Sequence, residues 1–168
     1  VHNDFDGYMS SGVTFLWPYF CSNLFPCKSS PDDGLRFKLA VSGAPEGKQV
    51  IFPAEIPANA PSYMPAIAIG SYEYEPLGTT EAGTKVGVWY LPGGKTAALT
   101  GTKHLAAAFE WFEKTYGPYT FGKDVASVSA SWGPGAFGGM EHHRYWHVGS
   151  GAMNDIETHV HEAGHGWY

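Results

Sequence analysis

The chain has 168 residues, the size of one ordinary domain or of two partial ones. Hydrophobic residues make up 43% and aromatic residues 15%, enough for a packed core, so a wholly disordered chain is excluded. Ten Lys and Arg against sixteen Asp and Glu give a net charge of −6, which argues against a surface built to neutralise nucleic-acid phosphates.

Gly, Pro and polar residues interrupt every apolar run, so no membrane span is readable. The first residues, Val1 to Asp6, carry no initiator Met, basic region or apolar signal-peptide core, and read as a cut. Cys21 and Cys27, the only cysteines, suit either a local disulfide or two packed thiols; a disulfide would imply an oxidising compartment, secreted or periplasmic.

Residues 1 to about 75 read as strands and turns. Leu35, Phe37, Leu39 and Val41 alternate with Arg36, Lys38 and Ala40 after the turn Pro31-Asp32-Asp33-Gly34, which predicts a half-buried strand. Pro53, Pro57, Pro61 and Pro65 cut the next stretch into short extended pieces, and Ala66 to Tyr74 and Thr84 to Leu91 are two further strand candidates. From Thr96 to Tyr116 the period changes: Leu105, Phe109, Phe112 and Tyr116 share a helical face, and Gly117-Pro118 ends it. Val125 to Ser131 predicts a strand, followed by a glycine-rich loop over Gly133 to Gly139.

Six of the eight histidines lie from His142 onward, where even spreading would put about one. The segment Asn154 to His165 predicts a helix, with Asn154 and Glu157 forming a reciprocal N-cap. Within it His161 and His165 are four residues apart, one helical turn, so both imidazoles can reach one metal ion. Glu162, adjacent to this pair in the His-Glu-x-x-His pattern, can take a proton from a metal-activated water without being a ligand.

Upstream lies Gly138-Gly139-Met140-Glu141-His142. The order of this Gly-x-Met-Glu phrase and then His-Glu-x-x-His resembles the aminopeptidase N-like gluzincins, a zinc exopeptidase family. Leu24-Phe25-Pro26-Cys27, Pro61-Ser62-Tyr63-Met64 with Ala66 to Gly70, and Tyr116-Gly117-Pro118-Tyr119-Thr120-Phe121 are similar to further phrases of that family, in the same order, so the likeness runs along nearly the whole chain.

The resemblance implies an α+β fold: the C-terminal part of a saddle-like N-terminal β-sheet domain over residues 1–78, then the first part of a thermolysin-like α/β catalytic domain over 79–168, truncated after His-Glu-x-x-His. It implies Zn²⁺ held by His161 and His165, with Glu162 as catalytic base, Glu141 holding the substrate α-amine, and Gly138 and Gly139 pairing with the substrate backbone. The family's third zinc ligand is a Glu some twenty residues beyond the second His, so it would come from a remainder of the catalytic domain in the same or another chain, and the isolated 168 residues are expected to be nearly inactive. The expected function is removal of N-terminal residues from peptides. Alternatives are a non-catalytic binding or assembly module of the same descent, or a zinc endopeptidase. His142 stands where the family commonly has Asn, and His142, His143, His147 and His159 receive no role; solvated or core positions are the expectation for the last two.

Overall fold

The structure is a computed structural model that describes residues 9–10, 12–14, 21–23, 25–28, 30, 32–132 and 138–168. Val1 to Asp6, Leu24, Pro31 and residues 133–137 of the glycine-rich loop lie outside the described residues.

Short strands open the chain: β1 (Met9–Ser10), β2 (Val13–Thr14), β3 (Gly34–Lys38), β4 (Gln49–Ile51), β5 (Glu55–Pro61) and β6 (Ala68–Gly70). They form a sheet in the order β1-β2-β6-β4 and a separate antiparallel pair, β3 with β5. β5 runs through Pro57 rather than breaking there, because the register with β3 shifts between Leu35 and Phe37 and Pro57 falls in the unpaired stretch between Ile56 and Ala60, where no ladder N–H is needed. The predicted strand from Leu35 to Val41 stops at Lys38, and Leu35 is exposed. Cys21 and Cys27 are joined in a disulfide.

A five-stranded sheet follows, ordered β10-β11-β9-β8-β7, from β7 (Glu73–Thr79), β8 (Lys85–Tyr90), β9 (Asp124–Ala130), β10 (Gly139–Met140) and β11 (Tyr145–Gly149). β8, β9 and β11 are parallel, while β7 and β10 run antiparallel at the two edges. Residue 78, the expected domain boundary, falls inside β7, whose partner is β8.

The long helix predicted from Thr96 is two helices, α1 (Lys95–Gly101) and α2 (Leu105–Tyr116). Thr102 ends α1: its backbone N–H and its hydroxyl both donate to the Ala98 carbonyl, at 2.9 and 2.7 Å. Gly101 lets α1 lie against the chain that enters the last helix, since a Cβ there would meet the Met153 carbonyl oxygen at 2.3 Å and the His159 ring at 2.7 Å. That last helix, α3, spans Ile156–Gly164.

The helices pack on one face of the sheet around Val86, Val88, Leu105, Phe109, Val125, Trp146, Val148 and Ala163. The opposite face, with Val128 and Ala130, meets Val13, Ile51, Ala68 and Tyr72 of the first sheet's region. A third cluster, Ile56, Ala60, Tyr63, Met64 and Met140, joins the segment after β5 to β10. Among the described residues no helix is long and apolar enough to cross a membrane.

Three buried histidines lie at this edge of the sheet, His142 and His143 between β10 and β11 and His147 within β11. Burial holds His142 down at about 4, opposed by the Glu141 charge and the Tyr63 carbonyl. It holds His143 at about 3, helped by His142 and His165, and His147 well below the usual imidazole range, helped by His142. Nε2 of His142 and both ring nitrogens of His147 have no hydrogen-bond partner. The folded chain therefore refuses protons that the unfolded chain accepts below about pH 6.5. Stability is full above that pH and falls as the pH drops towards the folded values, by up to about 1.4 kcal/mol per pH unit for each group. Glu162, whose carboxyl is pushed up to about 7, works in the opposite sense over the same window, but it is one group against three. Urea midpoints of the metal-free chain are therefore expected to fall between pH 7.5 and 5.0; a rising profile would show that these rings are not buried and neutral.

Candidate active site

The helix α3 begins at Asp155, not at Asn154 as the reciprocal cap required. The Asp155 carboxylate accepts from the backbone N–H of Glu157 and of Thr158, both at 3.3 Å, and from the Thr158 hydroxyl at 2.5 Å. Acidic charge in this first turn also suits the positive end of the helix dipole.

His159 and Ala163 set how the helix is rotated. Both are buried, one turn apart, on the side that faces the sheet. His159 Nε2 donates to the Met153 carbonyl at 2.9 Å, leaving Nδ1 to accept from the Ser127 hydroxyl at 2.8 Å, while Ser127 Oγ also accepts from Trp146 Nε1 at 2.6 Å. A buried imidazole is thereby satisfied at both nitrogens. At 100° per residue, His161 and His165 then fall on the far side of the helix. His161 is exposed and His165 half-buried.

Their Nε2 atoms lie 3.1 Å apart, with the rings nearly perpendicular at 89°. Two tetrahedral nitrogen ligands at ordinary Zn–N lengths sit about 3.3 Å apart, so the pair fits one zinc ion. His165 Nδ1 lies 3.3 Å from the Tyr168 backbone oxygen, a contact that puts the proton on Nδ1 and the lone pair on Nε2.

Glu162 lies between α3 and β10. It is 8% exposed, and its side chain crosses Gly139 so closely that a Cβ there would meet Glu162 Cγ at 2.5 Å. Burial, with the charge of Glu141 beside it, pushes the Glu162 carboxyl up to about 7. Glu141, Glu162 and His165 each offer a ligand atom within 4.8 Å of the others, and His161 adjoins this group through its contact with His165. Gly138, Gly139 and Glu141 line the same cavity of about 430 Å³ as Asp155, Thr158 and the two histidines. All six predicted site residues thus surround one cleft.

β10 is an edge strand: Gly139 and Met140 pair with Val148 and His147 of β11, and the Gly149 N–H donates to the Gly138 carbonyl. The turn after it carries Glu141 and is pinned from several sides. Tyr63 donates its hydroxyl to Glu141 Oε1 at 2.5 Å, and His142 Nδ1 donates to the Tyr63 carbonyl at 3.0 Å. His143 stacks on Phe121 at 3.6 Å between ring centres. Arg144, in the left-handed region at φ 73°, donates its N–H to the Tyr119 hydroxyl and Nη1 to the Glu55 carbonyl. The sequence alone assigns Tyr63 no role, since 78 residues separate it from Glu141 and no local pattern links the two.

No protein-family model matches the sequence, and no curated protein matches it. Solved structures do resemble it. An M1 zinc metallopeptidase from Deinococcus radiodurans superposes with a TM-score of 0.70 and 15% identity, over 94% of this chain and 40% of that one. A point mutant of the M1 enzyme from the same organism gives 0.71 and 14%, over 93% and 39%. A mutant two-domain M1 zinc metallopeptidase bound to L-arginine gives 0.72 and 14%, over 95% and 40%. The fold is that of part of an M1 zinc metallopeptidase. The chain spans about two fifths of the length of these neighbours, and at such identity the likeness is one of fold.

Calorimetric titration with zinc is expected to show His161→Ala and His165→Ala each weakening binding at least about tenfold, whereas Glu162→Gln stays within about threefold of the wild type. An equal loss in Glu162→Gln would make Glu162 a ligand instead of a neighbour of the site.

Proposed function

We propose that this chain forms the amine-binding and zinc-binding part of an aminopeptidase. The observation that carries the reading is a pair of imidazole nitrogens at zinc-ligand spacing, His161 and His165, sharing one cleft with the carboxylates of Glu141 and Glu162. The neighbours of similar fold are zinc metallopeptidases, and one is bound to a free amino acid, L-arginine.

In this reading His161 and His165 hold Zn²⁺ through Nε2. A third ligand, the Glu that the gluzincin resemblance implies, comes from residues outside these 168, in the same or another chain. When bound, the ion acidifies a water and polarises the scissile carbonyl. Glu162 takes the proton of the attacking water and passes it to the departing amine. Glu141 pairs with the α-ammonium of the substrate and so sets the cut one residue from the free end. The exposed edge of β10 offers Gly138 and Gly139 backbone groups to an extended peptide, as in strand addition. The N-terminal β-sheet region, assigned to 1–78, frames the catalytic region at 79–168, and the Cys21–Cys27 disulfide supports a secreted or periplasmic setting.

In the zinc-loaded protein with its third ligand present, Glu141→Ala is expected to lower turnover of amino-acyl amides at least about tenfold and to leave N-acetylated peptides unaffected. Equal loss on both would favour a zinc endopeptidase. Zinc bound without turnover of either substrate would favour a binding or assembly module. Glu162→Gln is expected to cost about 10²–10⁴ in kcat, the usual contribution of a general base; full activity in that variant would remove Glu162 from the mechanism.

A further inference from the structure

The carboxylate assigned to the substrate amine is not free in its cleft. Tyr63 Oη donates to Glu141 Oε1 at 2.5 Å, which occupies one carboxylate oxygen and leaves the other for a ligand. The same residue is held at its backbone by the neighbour of Glu141, since His142 Nδ1 donates to the Tyr63 carbonyl at 3.0 Å. Two bonds in opposite directions therefore join Tyr63 to consecutive residues of the β10–β11 turn.

The clasp is rigid for reasons independent of those bonds. Tyr63 is 8% exposed and His142 1%, and the Tyr63 ring packs in the cluster of Ile56, Ala60, Met64 and Met140. The chain turns at Tyr63 itself, with the Met64 N–H donating to the Pro61 carbonyl across the turn and the Ser62 hydroxyl donating to the Lys28 carbonyl. A carboxylate on a turn has three side-chain torsions to fix; a buried phenol donating to one oxygen removes most of that freedom.

We propose that Tyr63 is a positioning residue for amine recognition. Its hydroxyl orients Glu141 so that the second carboxylate oxygen meets the substrate ammonium, and His142 keeps Tyr63 in register with the turn. This rests on the aminopeptidase reading. Tyr63 touches neither the reacting carbonyl nor the metal ligands; it acts through Glu141, so its removal weakens free-amine substrates in KM and spares kcat.

The test compares Tyr63→Phe, His142→Leu and Glu141→Ala in the zinc-loaded protein with its third ligand present. Phe keeps the ring and its packing and removes only the hydroxyl. Binding of L-leucine amide by calorimetry is expected to weaken about tenfold in Tyr63→Phe, with KM for amino-acyl amides rising in parallel, kcat within twofold, and affinity for N-acetyl-L-leucine amide unchanged. His142→Leu, which loosens the clasp from its other end, is expected to give the same split between free and blocked ligands with smaller amplitude, and serves if Tyr63→Phe does not fold. Free-amine affinity at the wild-type level in Tyr63→Phe, with Glu141→Ala impaired, would overturn the clasp and leave the aminopeptidase reading standing. Free-amine affinity untouched in Glu141→Ala would overturn both. A loss in Tyr63→Phe that is equal for free and acetylated amides would mark Tyr63 as merely structural and overturn the proposal.

Discussion

The rotation of α3 about its own axis is the constraint on which the site depends. A helix carrying histidines every few residues could present any of them to the cleft. Here one of them is spent inward: His159, bonded at both nitrogens to Met153 and Ser127, together with Ala163 against the core, locks the azimuth. His161 and His165 must then point away from the sheet, and the two Nε2 atoms converge. Turning the helix would break both of these bonds and leave the buried Ser127 hydroxyl without its acceptor, at a cost of about 1–3 kcal/mol.

The other wall of the cleft depends on an absence. Gly139, without a side chain, gives Glu162 a bed on the edge strand, which brings β10 and α3 close enough to share a cavity. The turn that follows is fixed by partners distant in sequence: Tyr63 and Glu55 from the first half of the chain, and Tyr119 and Phe121 from the stretch after α2. Through that turn the N-terminal sheets bear on the chemistry. They hold the Glu141 carboxylate at a set place relative to the imidazole pair, the spacing on which the proposed exopeptidase reading depends.

Much of this was legible in the sequence. The spacing of His161, Glu162 and His165 placed two imidazoles and a carboxylate on one short helix, because helical period is local. The Phe109 face and the Gly117-Pro118 stop located α2 for the same reason. Local pattern fell short where tertiary contacts decide, or where the choice turns on the reach of one side chain. Gly101 owes its missing side chain to Met153 and His159, more than fifty residues later. Asp155 displaced Asn154 as the cap because its two oxygens reach two N–H groups and the Thr158 hydroxyl together. Pro57 fits within β5 because the register with β3 shifts there and leaves it outside the paired positions. His147 and His159, alike as letters, are both buried, yet one is saturated with hydrogen bonds and the other has none. Nothing in their neighbours along the chain distinguishes them.

Anomalous diffraction at the zinc edge from crystals grown with zinc tests the central claim most directly. The account expects a peak within bonding distance of Nε2 of both His161 and His165, with the Glu162 carboxylate close by but uncoordinated. A peak at another histidine group, or one bonded to Glu162 and Glu141 with His161 turned away, would contradict it.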